Sequence, residues 1–333
     1  MFALPSLILQ WRPPSIWGRI MGMHSPLKED NSRKNRPLLI APLWLALLLV
    51  GCATVFAEDA FFVSGGVKLH YTVQGQGEPV ILIHGFGASI EMNWVMPGVL
   101  PALAQSYQVI ALDNRGHGQS EKLTNAADYG IKFVDDGVAL MDHLKLPKAH
   151  VVGYSMGGFI TDKLLVTHPE RLVTATLGGA GWSQADDDRS VLTALAESLE
   201  QGKGMGPLIS FLNPKGEPPP SEERIQAASQ MFLTFNNPKA LAAVARSMGA
   251  FTITKEQLRS NRIPTLALIG EKDPLKAGVD KLDGVMANLK IVVIPEADHM
   301  TAMSNPVFLS SLKSFLAKHP AEAGKKQDPA ATK

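Results

Sequence analysis

The sequence holds a single cysteine, Cys52, among 333 residues. No intrachain disulfide can form, and a zinc or iron–sulfur site built on cysteines is excluded. Neither charge is in excess, with 32 Lys and Arg against 31 Asp and Glu. Binding nucleic acid needs clustered cations to neutralise phosphates, so this balance argues against it as the main partner. There is no internal repeat. Apolar residues make up 45% and charged residues 19%, which excludes collagen, whole-chain disorder and a polytopic membrane protein.

One apolar run stands apart from the rest. Leu38 to Phe56 (LLIAPLWLALLLVGCATVF) is almost wholly apolar, and Arg33, Lys34 and Arg36 precede it. A basic stretch followed by an apolar run is the layout of an export signal. Val55-Phe56-Ala57 suits cleavage before Glu58, and Leu49-Val50-Gly51-Cys52 suits a lipobox with lipidated Cys52. A run of about 20 apolar residues also suffices for an uncleaved membrane anchor. The expectation is export, to the periplasm or beyond, with membrane contact only through this segment or a lipid on Cys52. Residues 1–22 read as an upstream extension, with Met21 or Met23 as alternative starts. Residues 1–57 carry six cations and two acids, which leaves 26 cations against 29 acids in the remainder. That remainder is mildly acidic and has no nucleic-acid footprint.

From Glu58 onward strands alternate with helices. Val67–Val73 alternates apolar and polar residues, as a half-exposed strand does. Pro79–Ile83, Gln108–Leu112, Ala149–Gly153, Leu172–Leu177, Thr265–Ile269 and Ile291–Ile294 are short continuous apolar runs, which suit strands buried on both faces. Helical stretches fall between them at Met96–Gln105, Lys132–Leu144, Met156–His168 and Asn305–Lys318, the last opened by an Asn305 cap and Pro306. This alternation predicts an α/β fold with a mostly parallel sheet and helices on both faces. It breaks between Gly181 and Gln257, where Val191–Gln201, Met205–Leu212, Glu222–Phe235 and Pro238–Met248 read as helices without strands. We expect residues 1–57 to form the leader and 58–319 the domain. A helical lid is expected at about 182–256, and a disordered tail at 320–333.

The chemistry collects at strand ends. Gly153-Tyr154-Ser155-Met156-Gly157 lies between an apolar strand and a helix, the context a G-x-S-x-G nucleophile elbow requires. Ser155 is the candidate nucleophile and needs a base and an orienting acid. Of nine histidines, His299 is the candidate base, because it follows the strand Ile291–Ile294 and precedes the last helix. Asp273, just after Thr265–Ile269, is the candidate acid, with Glu271 and Asp298 as rivals. In His84-Gly85-Phe86-Gly87, glycines let the backbone approach a substrate oxygen. The backbone N–H groups of Phe86 and Met156 would form an oxyanion hole. Asp113-Asn114-Arg115-Gly116-His117-Gly118 carries reactive side chains but reads as a turn. Met205, Phe211, Met231, Phe232, Phe235, Met248 and Phe251 in the lid either line an apolar pocket or pack a core.

Taken together, HGFG at 84–87, DNRGHG at 113–118, GYSMGG at 153–158, GEKDP at 270–274 and DH at 298–299 resemble the α/β-hydrolase superfamily from about Phe61 to Lys318. The resemblance implies an eight-stranded sheet with the lid inserted after the sixth strand. Haloalkane dehalogenases and epoxide hydrolases of that superfamily carry Asp at the nucleophile position, where this chain has Ser155. Asp298-His299-Met300 also departs from the Gly-His-Phe or Gly-His-Trp of many relatives. The expectation is a serine hydrolase on small or medium uncharged esters, needing no cofactor and no metal. A lactonase, a carbon–carbon bond hydrolase or a perhydrolase would use the same triad. A non-catalytic ligand-binding protein is the alternative from another class.

Overall fold

The computed structural model describes residues 58–182 and 189–321. The apolar run Leu38–Phe56 expected to direct export, Cys52, both expected cleavage points, Met21 and Met23 lie outside the described residues, as does the tail from residue 322. β1 (Glu58–Ser64) and β2 (Val67–Gln74) form an antiparallel hairpin, with Ser64 opposite Val67. β3 (Pro79–Ile83), β4 (Gln108–Leu112), β5 (Ala149–Tyr154), β6 (Leu172–Gly178), β7 (Thr265–Gly270) and β8 (Leu289–Ile294) complete an eight-stranded sheet. The strand order is β1-β2-β4-β3-β5-β6-β7-β8. β2 joins β4 antiparallel, and every pairing from β4 to β8 is parallel.

The apolar runs are continuous because both faces of the sheet are covered. Alternate residues of one strand serve two cores. Ile81 and Ile83 face a cluster that includes Phe133, Leu140, Ile160 and Leu164. These come from α2 (Lys132–His143) and α3 (Met156–Thr167). Val80 and Leu82 face Leu100, Leu103, Phe308 and Leu312. Those come from α1 (Val99–Leu103) and α10 (Pro306–Ala317), the latter capped by Asn305, which accepts from the Val307 N–H. β8 lies at the sheet edge and is buried throughout only at Ile294, so its apolar signal is weaker and begins two residues later in the sequence reading.

Between β6 and β7 the chain forms α4 (Arg189–Glu200), α5 (Gly206–Phe211), α6 (Glu222–Thr234), α7 (Pro238–Ser247) and α8 (Lys255–Ser260). Leu195, Leu199, Met205, Leu241 and Ala242 give these helices a small core of their own. α9 (Lys276–Asp280) follows β7. The sequence reading missed α8 and α9, although Thr254 and Gln257 close a capping box at the start of α8.

One helix departs from expectation. Met96–Gln105 is not continuous. A π-turn over Glu91–Val95 precedes Pro97 and Gly98, and α1 starts only at Val99. Gly98 has φ 79°, a left-handed conformation that a helix interior does not contain.

The turn after β4 is bolted to α2 by a buried ion pair. Arg115 donates from Nε to Asp136 at 2.6 Å and from Nη2 at 2.5 Å, with both side chains nearly inaccessible. Arg115 Nη1 also donates to the Asp128 carbonyl at 2.6 Å. Breaking such a pair leaves an uncompensated buried charge. We expect Asp136→Ala to cost about 3–5 kcal/mol of unfolding free energy, read from urea denaturation midpoints.

Candidate active site

Ser155 sits between β5 and α3 at φ 54°, ψ −119°. A non-glycine residue there stores about 1–3 kcal/mol of strain. Surrounding contacts hold it. The Ser155 N–H donates to the Gly178 carbonyl at 2.8 Å, and its carbonyl accepts from the Phe159 N–H at 3.1 Å. A Cβ on Gly153 would run into the Gly157 carbonyl, and one on Gly157 into the Ile83 carbonyl. Both positions therefore require glycine, and the close approach packs α3 against β5 and β3.

The loops after β7 and β8 meet beside this turn. His299 Nε2 lies 3.0 Å from Ser155 Oγ, and His299 Nδ1 lies 2.8 Å from Asp273 Oδ2. His299 and Asp273 are both buried. A carboxylate only accepts, so Nδ1 carries the proton and Nε2 is left to accept from the Ser155 hydroxyl. The other Asp273 oxygen accepts from the Leu275 N–H at 2.9 Å. The rival acids are occupied elsewhere. Glu271 accepts from the Glu296 N–H at 3.0 Å, stitching the two loops together. Asp298 accepts from the N–H groups of Met300 and Thr301 at 2.8 and 2.9 Å, shaping the loop that carries His299.

Tyr154 has a role that the motif did not signal. Its hydroxyl donates to the His299 carbonyl, and its ring lies 5.4 Å from the imidazole centroid. Burial, with the charges of Asp273 and Asp298, pushes the phenol well up, so it remains a donor.

The Phe86 and Met156 residues flank the serine. Gly85 packs so close that a Cβ there would lie 3.1 Å from the Ser155 Cβ. Among the described residues neither the Phe86 nor the Met156 N–H has a hydrogen-bond acceptor. The Gly85 N–H donates to Asn93 Oδ1 at 2.7 Å, and Asn236 Nδ2 on the lid donates to the Gly87 carbonyl at 2.8 Å. Asn93 and Asn236 carried no signal in the sequence, because a lone asparagine shows no partner until the chain is folded.

The other histidines of this region are structural. His84 is fully buried, and burial lowers its pKa against the opposing charge of Asp113. Its Nε2 accepts from the Asn114 N–H at 3.0 Å, so Nδ1 donates to the Gly85 carbonyl at 2.8 Å. His117 is pushed down to about 3 by burial and by neighbouring His84. Burial would raise the Asp113 carboxyl, but hydrogen bonds from His70, Gln119 and Ile90 hold it at about 2. These groups shape the turns under the site and do not reach Ser155. Among the described residues no group of His, Cys, Asp or Glu is arranged to hold a metal ion.

Above the serine lies a cavity of about 640 Å³, lined by Ser155, His299, Phe86 and Met156 together with residues of the lid. Met205, Phe211, Met231, Phe232, Met248 and Phe251 line it, whereas Phe235 is exposed to solvent instead.

A family model described as "alpha/beta hydrolase fold" matches residues 78–194. The chain has the α/β-hydrolase fold and resembles that superfamily. Three relatives are each spanned almost end to end. The first is a 2-hydroxy-6-oxo-6-(2'-aminophenyl)hexa-2,4-dienoic acid hydrolase of Metapseudomonas resinovorans, 28% identical over 78% of this chain and 91% of the relative. A pimeloyl-acyl-carrier-protein methyl ester esterase of Aeromonas hydrophila is 28% identical over 73% of this chain and 96% of the relative. The solved structure of Est816, described as an N-acyl homoserine lactone degrading enzyme, superposes with a TM-score of 0.63 and 27% identity, covering 77% of this chain and 100% of that one. Within that fold, this chain thus resembles enzymes that break several kinds of bond.

The geometry separates the three acids experimentally. Asp273→Asn removes the carboxylate behind His299 and should lower kcat about 10⁴-fold. Glu271→Gln and Asp298→Asn keep an acceptor oxygen for the same N–H groups and should each cost about tenfold or less. Steady-state kinetics of the three purified variants on one chromogenic ester checks the ranking.

Proposed function

We propose that this chain is a serine hydrolase that cleaves carboxylic esters of small or medium apolar substrates through an acyl-enzyme. The observation that carries this reading is the continuous relay from Ser155 through His299 to Asp273, opening into an apolar cavity. Ser155 Oγ attacks the ester carbonyl carbon while His299 Nε2 takes its proton. Asp273 holds the imidazole tautomer and stabilises the imidazolium that forms. The N–H groups of Phe86 and Met156 receive the developing oxyanion, and the N-terminal dipole of α3 adds to that field. His299 then protonates the leaving alcohol. Water, deprotonated by the same imidazole, releases the acid and regenerates Ser155.

The reading has support from the Aeromonas hydrophila esterase, whose name states an ester substrate. Est816 supports a cyclic-ester variant of the same attack, in which the leaving alcohol stays tethered to the acyl group. The Metapseudomonas resinovorans relative is the reason to include a dienoic acid substrate in any activity panel.

The decisive experiment is covalent capture. A fluorophosphonate should label the purified protein at Ser155, and Ser155→Ala should abolish both labelling and ester turnover. A folded wild-type protein that neither reacts with the probe nor turns over any ester supports a ligand-binding role instead.

We propose further that the mature protein is exported, on the strength of Arg33–Arg36 and the apolar run after them. Mass spectrometry of the protein from its native host should find a chain starting at Glu58 or a lipidated Cys52. Intact peptides spanning Leu38–Phe56 in the mature pool would leave only the anchor.

A further inference from the structure

The cavity has an uneven composition that the catalytic relay does not explain. Of the thirteen methionines in the chain, eight line it, among them Met92, Met96, Met205, Met231, Met248 and Met303. They come from the π-turn before α1, from the first turn of α3, from the lid and from the loop after β8. Met156, Met205 and Met303 also pack in core clusters and Met248 packs against one, but Met92, Met96, Met231 and Met300 belong to none of the clusters among the described residues, so core packing does not explain the wall. Methionine is unbranched and has three rotatable bonds. A wall of such side chains reshapes itself around a flexible ligand where branched residues would present one fixed mould.

Charge is sparse on this wall. Among the described lining residues, the charged side chains other than the histidine are Arg224 and Asp298. Asp298 is engaged by the backbone of its own loop. Arg224 is exposed on α6, so no buried cation waits for an ionised substrate group. The apolar surface also continues outward. Met96, Met231 and Met300 are 73%, 51% and 62% exposed, and all three line the cavity. A thioether path therefore runs from solvent to Ser155. On the lid side it abuts the oxyanion loop, since a Cβ on Gly87 would lie 3.4 Å from Phe232 and 3.5 Å from Met205. The volume of about 640 Å³ lies well inside the range of about 300–1,000 Å³ that holds drug-sized ligands, and far exceeds an acetyl group.

We infer that the substrate's acyl part is a flexible, uncharged, unbranched aliphatic chain, accepted over a range of lengths by this methionine wall. The inference rests on the serine-hydrolase reading and narrows it. Each methylene moved from water into the cavity is worth about fourfold in transition-state binding. That binding is uniform along the reaction, so it appears in KM more than in kcat.

The test is a series of p-nitrophenyl esters: acetate, butyrate, octanoate and laurate, with the p-nitrophenyl monoester of suberic acid as an ionised control. We expect kcat/KM to rise at least about a hundredfold from acetate to octanoate, chiefly through KM. The suberate monoester has the octanoate chain with a terminal carboxylate, and should lose most of that gain. Met96→Ser and Met231→Ser alter exposed side chains at the cavity mouth, and together they should lower the octanoate-to-acetate ratio about tenfold. A flat or falling acyl series overturns the inference, as does a suberate ester as good as octanoate or a ratio unmoved in the double variant. A length dependence confined to the alcohol side, measured with alkyl acetates, also overturns the acyl assignment. In any of these cases fluorophosphonate labelling of Ser155 with turnover of the acetate would leave the serine-hydrolase reading standing. Absence of both would remove that reading itself.

Discussion

The site depends on how closely α3 approaches the sheet. Ser155 holds a backbone conformation that is unfavourable for any residue with a Cβ, and it does so because its neighbours cannot move away. The glycines at 153 and 157 let the chain fold back until only backbone separates β3, β5 and the first turn of α3. Strain of about 1–3 kcal/mol is small beside the apolar burial on both faces of the sheet, so the rest of the fold can sustain it. The return is position. The hydroxyl meets His299 Nε2 at 3.0 Å, the Met156 N–H has no acceptor among the described residues, and the N-terminal dipole of α3 lies at the same spot.

A second layer holds the first in place by polar contacts, most of them between neutral groups. His84 and His117 are both fully buried, and their pKa values are lowered because burial disfavours the imidazolium. A neutral His84 can accept from Asn114 and donate to the Gly85 carbonyl at once. That carbonyl belongs to the peptide whose other end is the Phe86 N–H. Asp113 does the converse job as an anion, held down by the groups that donate to it. The side chains in this region that look reactive in sequence are thus engaged by backbone and by one another, and among the described residues His299 is the side chain hydrogen-bonded to the serine.

The lid supplies what the sheet cannot. It has its own apolar cluster around Leu195, Leu199 and Leu241, and it touches the loop at Gly87 through Phe232, Met205 and Asn236. Part of the inner wall is tied to the sheet domain, because Phe251 and Met248 pack in the main core with α3, whereas Met205 and Phe232 belong to the lid cluster. The relatives' names differ in substrate, from a dienoic acid to a methyl ester to an N-acyl homoserine lactone. Specificity belongs to the wall and reactivity to the strand ends.

The sequence by itself determined the strand ladder, the elbow and the chain order of Ser155, Asp273 and His299. β3 and β4 coincide with their apolar runs to the residue, because a strand buried on both faces has no polar interruption to blur its ends. Motifs at strand ends were legible because a parallel sheet gathers all its C-terminal ends on one side. What failed to show was local geometry that competes with pattern. Pro97 and Gly98 broke a helix that periodicity extended, and α8 and α9 were too short to register. Only the tertiary structure decided which acid backs His299. Glu271, Asp273 and Asp298 are chemically alike; Glu271 and Asp273 meet partners on another loop, whereas Asp298 turns back on its own. The same holds for Tyr154, Asn93 and Asn236, whose hydrogen bonds cross as many as 149 positions of sequence. A side chain's type is written in the sequence, whereas the atom it faces is set by where distant segments pack.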